Sequence, residues 1–318
     1  MNNEQFEHAL HPELKASLGL LQPLQLPEQL EQARQLRPPA METNERVTIQ
    51  EYHIVGGSQQ SLRIRVYVPD HSTDSETTLP GLLWTHGGGY ILGTPEGEDR
   101  LCVDMADTAG CIIVSPDYRL APEHPYPAGL EDAYAALCWM VDPACPLPIR
   151  ADRLAVGGAS AGGGLAAALA LLARDRRGPK LCFQLLLYPM IDYRNDTASS
   201  HEIHHPLVWN REYNLIAWKL YLGHDPANHA EFITYYESPS LAPDLTGLPP
   251  AYLCVGQLDP FRDETIQYAT RLAQSSIATE LHVQPGAYHG FENVAPTATP
   301  SQRFRNAYIQ ALVRALNE

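Results

Sequence analysis

The chain has 318 residues, of which 44% are hydrophobic, enough for one large α/β domain with a well-filled core or for two small domains. Its 37 acidic residues outnumber 22 basic ones, and the formal net charge of −15 argues against nucleic acid or an anionic membrane surface as a partner. The longest apolar run, 165–173, is shorter than the roughly 20 residues that a membrane span needs. The N-terminus lacks the basic start and apolar core of a signal peptide, and the six cysteines contain no Cys-x-x-Cys pair. These features favour a reduced, cytoplasmic protein.

Residues 1–45 predict a helical segment that is separate from any sheet. Leu14, Leu18 and Leu21 recur with helical spacing. Prolines divide the segment into short helices, at Pro12, Pro23, Pro27, Pro38 and Pro39. The next two runs, 47–55 and 62–68, predict strands that pair as a hairpin, since the second alternates apolar and polar residues.

From residue 80 onward, buried strands alternate with helices. Six further strands are predicted at 82–84, 111–114, 154–156, 183–187, 252–255 and 281–283, which makes eight in all. Helices are predicted near 97–109, 128–141, 161–176, 262–275 and 301–316. This alternation predicts an α/β fold with a mostly parallel sheet and helices on both faces. Residues 190–225 interrupt the pattern with His, Asn and aromatic residues, and they are interpreted as an insertion.

A glycine-rich turn stands between one predicted strand and the helix that follows it. Gly158, Ser160 and Gly162 fill the pattern Gly-x-Ser-x-Gly, in which a strained turn exposes a nucleophilic serine at a helix N-terminus. The motif alone is also compatible with an ordinary small-residue turn. A phosphate-binding loop is disfavoured because the sequence Gly-Lys-Ser/Thr does not occur here.

A second glycine-rich stretch, His86 followed by Gly87, Gly88 and Gly89, comes directly after a predicted strand. Glycines leave backbone N–H groups unshielded, so such a loop can donate hydrogen bonds to an oxyanion. The residue after the nucleophile, Ala161, supplies a further donor. The alternative interpretation is a flexible loop without a chemical role.

A nucleophilic serine needs a base and an acid that orients the base. His289 follows the last predicted strand, and Asp259 is the first carboxylate after the strand before it. Both positions lie at the carboxyl edge of a parallel sheet, where α/β proteins build their sites. Asp263 and Glu264 compete with Asp259, but they fall where the next helix begins and are expected to cap it.

Five stretches of the chain together resemble the hormone-sensitive-lipase family (family IV) of α/β-hydrolase esterases. They are 86–89, 115–132, 158–163, 259–264 and 289–291, and they include His-Gly-Gly-Gly and the long run that begins Asp-Tyr-Arg-Leu-Ala-Pro-Glu. The likeness spans about residues 45–318. Ala159 departs from it, because the family usually carries Asp or Thr before the serine, and the subfamily therefore stays open.

The resemblance implies a role for each candidate residue. The catalytic triad would be Ser160, Asp259 and His289, and the oxyanion hole would be formed by Gly88, Gly89 and Ala161, with Gly87 included as the residue that shapes the loop. Tyr90 and Tyr188 are the candidates for the substrate pocket. Residues 46–318 would be the α/β-hydrolase catalytic domain, with a helical cap built from residues 1–45 and the insertion at 190–225. No cofactor is expected, and a homodimer is implied.

The sequence therefore predicts a serine carboxylesterase that hydrolyses short- to medium-chain acyl esters through an acyl-enzyme. Amide hydrolysis by the same residues stays open, and a non-catalytic small-molecule receptor is disfavoured because His289 is present. Residues 201–205 fit the zinc-peptidase pattern His-Glu-x-x-His, which requires two histidines on one helical face. Pro206 pushes His205 away from helical geometry and no third ligand stands out, so no metal site is expected.

Overall fold

The structure is a computed structural model that describes residues 1–35, 40–41, 45–70 and 78–318, with only the backbone described at His229. Pro38 and Pro39, which are predicted to interrupt the N-terminal segment, lie outside the described residues. The described part of that segment contains three short α-helices, Asn3–Ala9 (α1), Pro12–Lys15 (α2) and Leu30–Gln35 (α3), and a 3₁₀ helix at Ala16–Leu20.

The described ranges contain eight strands that form one sheet in the order β1-β2-β4-β3-β5-β6-β7-β8. Their bounds are Val47–Val55 (β1), Ser61–Pro69 (β2), Leu79–Thr85 (β3), Ile112–Pro116 (β4), Ile149–Ala159 (β5), Phe183–Leu187 (β6), Ala251–Leu258 (β7) and Thr279–Tyr288 (β8). Strand β1 pairs with β2 as the predicted antiparallel hairpin, and β2 also runs antiparallel to β4. The remaining pairs are parallel, so the predicted fold class is confirmed.

Helices cover both faces of the sheet. Those that follow β1 are Asp99–Ala109 (α4), Ala128–Trp139 (α5), Ala161–Asp175 (α6), Ala198–Glu202 (α7), Arg211–Leu222 (α8), Pro226–His229 (α9), Arg262–Gln274 (α10), Phe291–Val294 (α11) and Thr299–Asn317 (α12). Helices α5, α6 and α10 pack on one face, and α4 and α12 pack on the other. Strand β3 shows the alternation that makes this possible, since Leu83 joins the first core while Leu82 and Trp84 join the second.

The described part of the chain contains no helix that is both long and apolar enough to cross a bilayer. All six cysteines are unpaired thiols, and Cys102, Cys111 and Cys254 are buried. The parallel strands place the carboxyl ends of β3, β5, β7 and β8 at one edge of the sheet. The three triad candidates and the candidate oxyanion donors each follow one of these strand ends, so the topology brings them together.

Candidate active site

Ser160 stands on a sharp turn between β5 and α6, with φ +57° and ψ −121°. A residue other than glycine rarely adopts a positive φ, so this backbone is strained. A Cβ atom at Gly162 would lie 1.9 Å from the carbonyl oxygen of Thr85, and one at Gly158 would lie 2.4 Å from the backbone of Gly162. Both glycines are therefore needed for the strand and the helix to approach this closely.

The imidazole of His289 lies between the hydroxyl of Ser160 and the carboxylate of Asp259. Its Nε2 atom is 2.9 Å from Ser160 Oγ, and its Nδ1 atom is 2.8 Å from Asp259 Oδ2. Asp259 is fully buried, and its second oxygen accepts a hydrogen bond of 2.9 Å from the backbone N–H of Phe261. A buried carboxylate on Nδ1 favours the tautomer that carries its proton there, which leaves Nε2 free to accept the proton of the serine.

The two competing carboxylates lie elsewhere. Asp263 accepts a hydrogen bond of 2.7 Å from the N–H of Ser199, and Glu264 accepts one of 2.8 Å from the N–H of Ile191. Helix α10 has no side-chain cap, so the prediction that these residues cap it is wrong. Both instead fasten α10 to the insertion, a segment far away in the sequence.

Aromatic side chains hold the histidine ring in place. Tyr188 and Phe261 meet the ring of His289 edge-on, with centroids 4.7 Å and 5.0 Å away. The hydroxyl of Tyr188 donates a hydrogen bond of 2.6 Å to Glu292, whose pKa is raised by burial. Tyr188 therefore supports His289, and these contacts lend no support to its predicted place in the substrate pocket.

The loop after β3 passes beside the serine with its glycines in the left-handed region, at φ +123° for Gly88 and +62° for Gly89. A Cβ atom at Gly88 would lie 2.2 Å from the carbonyl oxygen of Leu92, which explains why glycine is required there. Within the described residues, the N–H groups of Gly88, Gly89 and Ala161 donate to no protein acceptor. These three groups are therefore available to a substrate oxygen.

Gly87 differs from its neighbours because its N–H donates a hydrogen bond of 2.7 Å to the carboxylate of Glu98. An N–H that is already engaged is not free for an oxyanion, so this contact favours the loop-shaping role predicted for Gly87 over a role as an oxyanion donor. No sequence motif marks Glu98, which falls at the start of a predicted helix. Its contacts appear only when the loop folds back over it.

Two large aromatic rings contact the loop, and only one of them, Tyr90, was predicted to line the substrate pocket. Tyr90 is 2% exposed, stacks on Tyr221 at 4.0 Å and donates a hydrogen bond of 2.7 Å to the carbonyl of Met190. These contacts brace the loop from inside and lend no support to a pocket role. Trp209 lies directly above the loop, since a Cβ atom at Gly89 would be 2.5 Å from its ring. Sequence reasoning missed Trp209 because an aromatic residue in an insertion carries no motif.

Only the first two residues of the zinc-peptidase pattern are helical in the structure. Helix α7 ends at Glu202, and Ile203 has extended backbone angles. The ring of His205 stacks on Phe6 at 4.9 Å, and the pattern therefore lacks the geometry it requires. Among the described residues, no three His, Cys, Asp or Glu side chains lie close enough together to hold a metal ion.

Comparison with known proteins identifies the group to which this arrangement belongs. A family model described as the alpha/beta hydrolase fold matches residues 82–293. The carboxylesterase NlhH of Mycobacterium tuberculosis is 37% identical over 289 residues, which cover 89% of this chain and 88% of that protein. The chain belongs to the hormone-sensitive-lipase family of α/β-hydrolase esterases. It is a serine esterase that hydrolyses carboxylic esters.

Two further matches agree with this esterase assignment. The ethyl acetate hydrolase of Pseudomonas putida is 33% identical over 236 residues, which cover 73% of the present chain and 71% of the Pseudomonas protein. A solved structure of a bacterial heroin esterase superposes with a TM-score of 0.88 at 38% identity, and the match covers 98% of the present chain and 99% of the heroin esterase chain. The predicted family is thus confirmed by both sequence and fold.

Proposed function

We propose that Ser160, His289 and Asp259 are the catalytic triad of this esterase. Ser160 Oγ attacks the acyl carbonyl while His289 Nε2, 2.9 Å away, accepts its proton. Asp259, at 2.8 Å from Nδ1, orients the ring and stabilises the imidazolium that forms. The continuous chain of hydrogen bonds from residue 160 to residue 259 is the observation that carries this proposal.

The N–H groups of Gly88, Gly89 and Ala161 would stabilise the tetrahedral oxyanion. They belong to the two segments that meet at the serine, and no described acceptor occupies them. Donors that are fixed in place before the reaction need no reorganisation as charge develops. The imidazolium of His289 then protonates the departing alcohol oxygen, which leaves an acyl-enzyme on Ser160. His289 next takes a proton from water while the water oxygen attacks the acyl carbon. The bond from that carbon to Ser160 Oγ then breaks as the imidazolium returns the proton to Oγ, which releases the acid and restores the serine.

We further propose that the N-terminal segment and the insertion together form a cap over this site. His205 of the insertion stacks on Phe6, and the hydroxyl of Tyr213 accepts a hydrogen bond of 3.1 Å from the N–H of Leu24. Trp209 extends from the same insertion to the loop at Gly89. A rigid indole so close to the oxyanion donors limits the room for an acyl chain, which supports a preference for short to medium acyl groups. The relative named ethyl acetate hydrolase agrees with that preference.

The proposal is tested by replacing the nucleophile and a matched serine. Ser160→Ala should lose at least about 10³-fold in kcat on p-nitrophenyl acetate while it folds normally. Ser301→Ala is the control, because Ser301 is buried and its hydroxyl has no partner among the described residues. If Ser160→Ala keeps a rate within tenfold of Ser301→Ala, the triad assignment fails. A series of nitrophenyl esters from C2 to C12 tests the acyl preference. A homodimer and a cytoplasmic location stay predictions.

A further inference from the structure

A carboxylate outside the proposed triad lies against the oxyanion loop. Glu98 ends the 3₁₀ turn Pro95–Glu98, and one oxygen, Oε1, accepts a hydrogen bond of 2.7 Å from the N–H of Gly87. The other oxygen, Oε2, accepts a hydrogen bond from the indole N–H of Trp84, which is fully buried in β3. The residue as a whole is partly exposed, but its carboxylate points inward and both oxygens are used as acceptors.

This contact is close to the reacting serine. A Cβ atom at Gly87 would lie 3.5 Å from Glu98 Oε1 and also 3.5 Å from Ser160 Cβ. Gly87 immediately precedes the two glycines with positive φ, Gly88 and Gly89. Glu98 holds the His86–Gly87 peptide unit, which directly precedes the two peptide units whose N–H groups are proposed to bind the oxyanion. Movement of the held unit would therefore be passed on to both donors.

We propose that Glu98 is a positioning residue of the oxyanion loop, which it holds in its productive geometry only as an ionised carboxylate. The inference rests on the proposed role of Gly88 and Gly89 as oxyanion donors. Two N–H donors face the carboxyl group, and only the ionised form offers two acceptor oxygens. In the protonated form an O–H would face one of these N–H groups, and that hydrogen bond would be lost.

The surroundings of Glu98 set the pH range of this effect. Burial and the nearby Glu292 raise its pKa to about 7, although the hydrogen bonds from Gly87 and Trp84 oppose the shift. The other titratable groups near it belong to different elements: Cys102 of α4, Tyr118 after β4 and Tyr188 after β6. Burial raises the pKa of all three, so they are neutral at pH 7. The buried Asp99 beside it pairs with Arg65. Glu98 is therefore protonated as the pH falls through about 7, and the loop should lose its anchor there.

The experiment compares Glu98→Gln with Glu96→Gln. Gln keeps the shape of Glu98 but offers one acceptor oxygen, whereas Glu96 lies on the same turn and binds Arg63 away from the loop. With p-nitrophenyl acetate at about pH 8, we expect Glu98→Gln to lower kcat by about 10- to 100-fold and to leave KM within about threefold, since the loop acts in the transition state. We then follow kcat against pH from about pH 5.5 to 9.5. The decrease in kcat toward low pH should involve two ionisations in the wild type and in Glu96→Gln, but only one in Glu98→Gln.

A second variant covers the case in which Glu98→Gln does not fold. Trp84→Phe removes one hydrogen-bond donor but keeps the carboxylate, so the upper ionisation of the acid limb should move to higher pH. The inference is overturned if Glu98→Gln keeps kcat and both ionisations, or if Glu96→Gln loses as much kcat as Glu98→Gln. It is also overturned if Trp84→Phe leaves the upper ionisation at the same pH as in the wild type. Labelling by a serine-reactive organophosphate distinguishes a failure of the Glu98 inference from a failure of the proposed triad. A failed inference leaves the wild type labelled at Ser160, whereas a failed triad assignment leaves Ser160 unlabelled.

Discussion

Replacing Gly162 by alanine should damage activity far more than an alanine in a helix ordinarily would. The added Cβ would lie 1.9 Å from the carbonyl oxygen of Thr85 and 2.5 Å from that of His86, whereas ordinary contacts begin near 3.4 Å. The start of α6 or the end of β3 must therefore move by about 1.5 Å. Alanine favours a helix interior by up to about 1 kcal/mol, but overpacking costs about 1–3 kcal/mol. A misplacement of about 1 Å near the reacting atoms can cost about 10²-fold in rate.

The assay is kcat/KM on p-nitrophenyl acetate, with thermal unfolding as the check on folding. Gly163→Ala is the matched control, since its Cβ would lie 3.0 Å from Pro189 and needs only a small adjustment. We expect Gly162→Ala to fall about 10²-fold or more below the wild type, and Gly163→Ala to stay within about fivefold because its helix propensity offsets the tight contact. If both variants have kcat/KM values within threefold of each other, the close approach of helix and loop does not control the geometry of the site.

Three other predictions concern the walls and supports of the site. Trp209→Ala should raise the ratio of kcat/KM for the octanoyl ester to kcat/KM for the acetyl ester of nitrophenol by about tenfold or more, because it opens the space above the loop. An unchanged ratio would refute the role of Trp209 as a wall of the acyl pocket. Tyr188→Phe should lower the free energy of unfolding in urea by about 1–3 kcal/mol, because buried Glu292 loses its hydrogen-bond donor. Its kcat should fall less than tenfold because the ring still contacts the histidine, and a large loss of kcat with unchanged stability would contradict this prediction. Arg65→Met should cost about 3–5 kcal/mol in the same assay because it leaves the carboxylate of Asp99 buried and unpaired, and a loss below about 1 kcal/mol would count against that ion pair.

The parts of the molecule that depend on local pattern were predictable from the sequence. The eight strands and five main helices have local signals, namely alternation, apolar runs and glycine turns, and the structure reproduces their order with shifts of a few residues at the ends. The positions of Ser160, Asp259 and His289 were predictable for a related reason. Parallel strands end at the same edge, so residues that follow different strands can meet although they are far apart in the chain.

The supports of the site could not be predicted, because they depend on contacts between distant segments. Asp263 and Glu264 fit a helix cap by position, yet their partners Ser199 and Ile191 come from the insertion. Glu98 looks like an ordinary residue of a helix start until β3 brings Gly87 and Trp84 to its carboxylate. A sequence pattern describes neighbours along the chain, whereas these roles are set by neighbours in space.

The central claim is that Ser160, activated by His289 and Asp259, is the nucleophile of this esterase. The most direct measurement is peptide mass mapping after inactivation with diethyl p-nitrophenyl phosphate, with residual hydrolysis followed in parallel. We predict one diethylphosphoryl group per chain on the peptide that contains Ser160, complete loss of activity at that stoichiometry, and much slower labelling in His289→Ala. Labelling at another residue, or full inactivation with Ser160 unmodified, would contradict the claim.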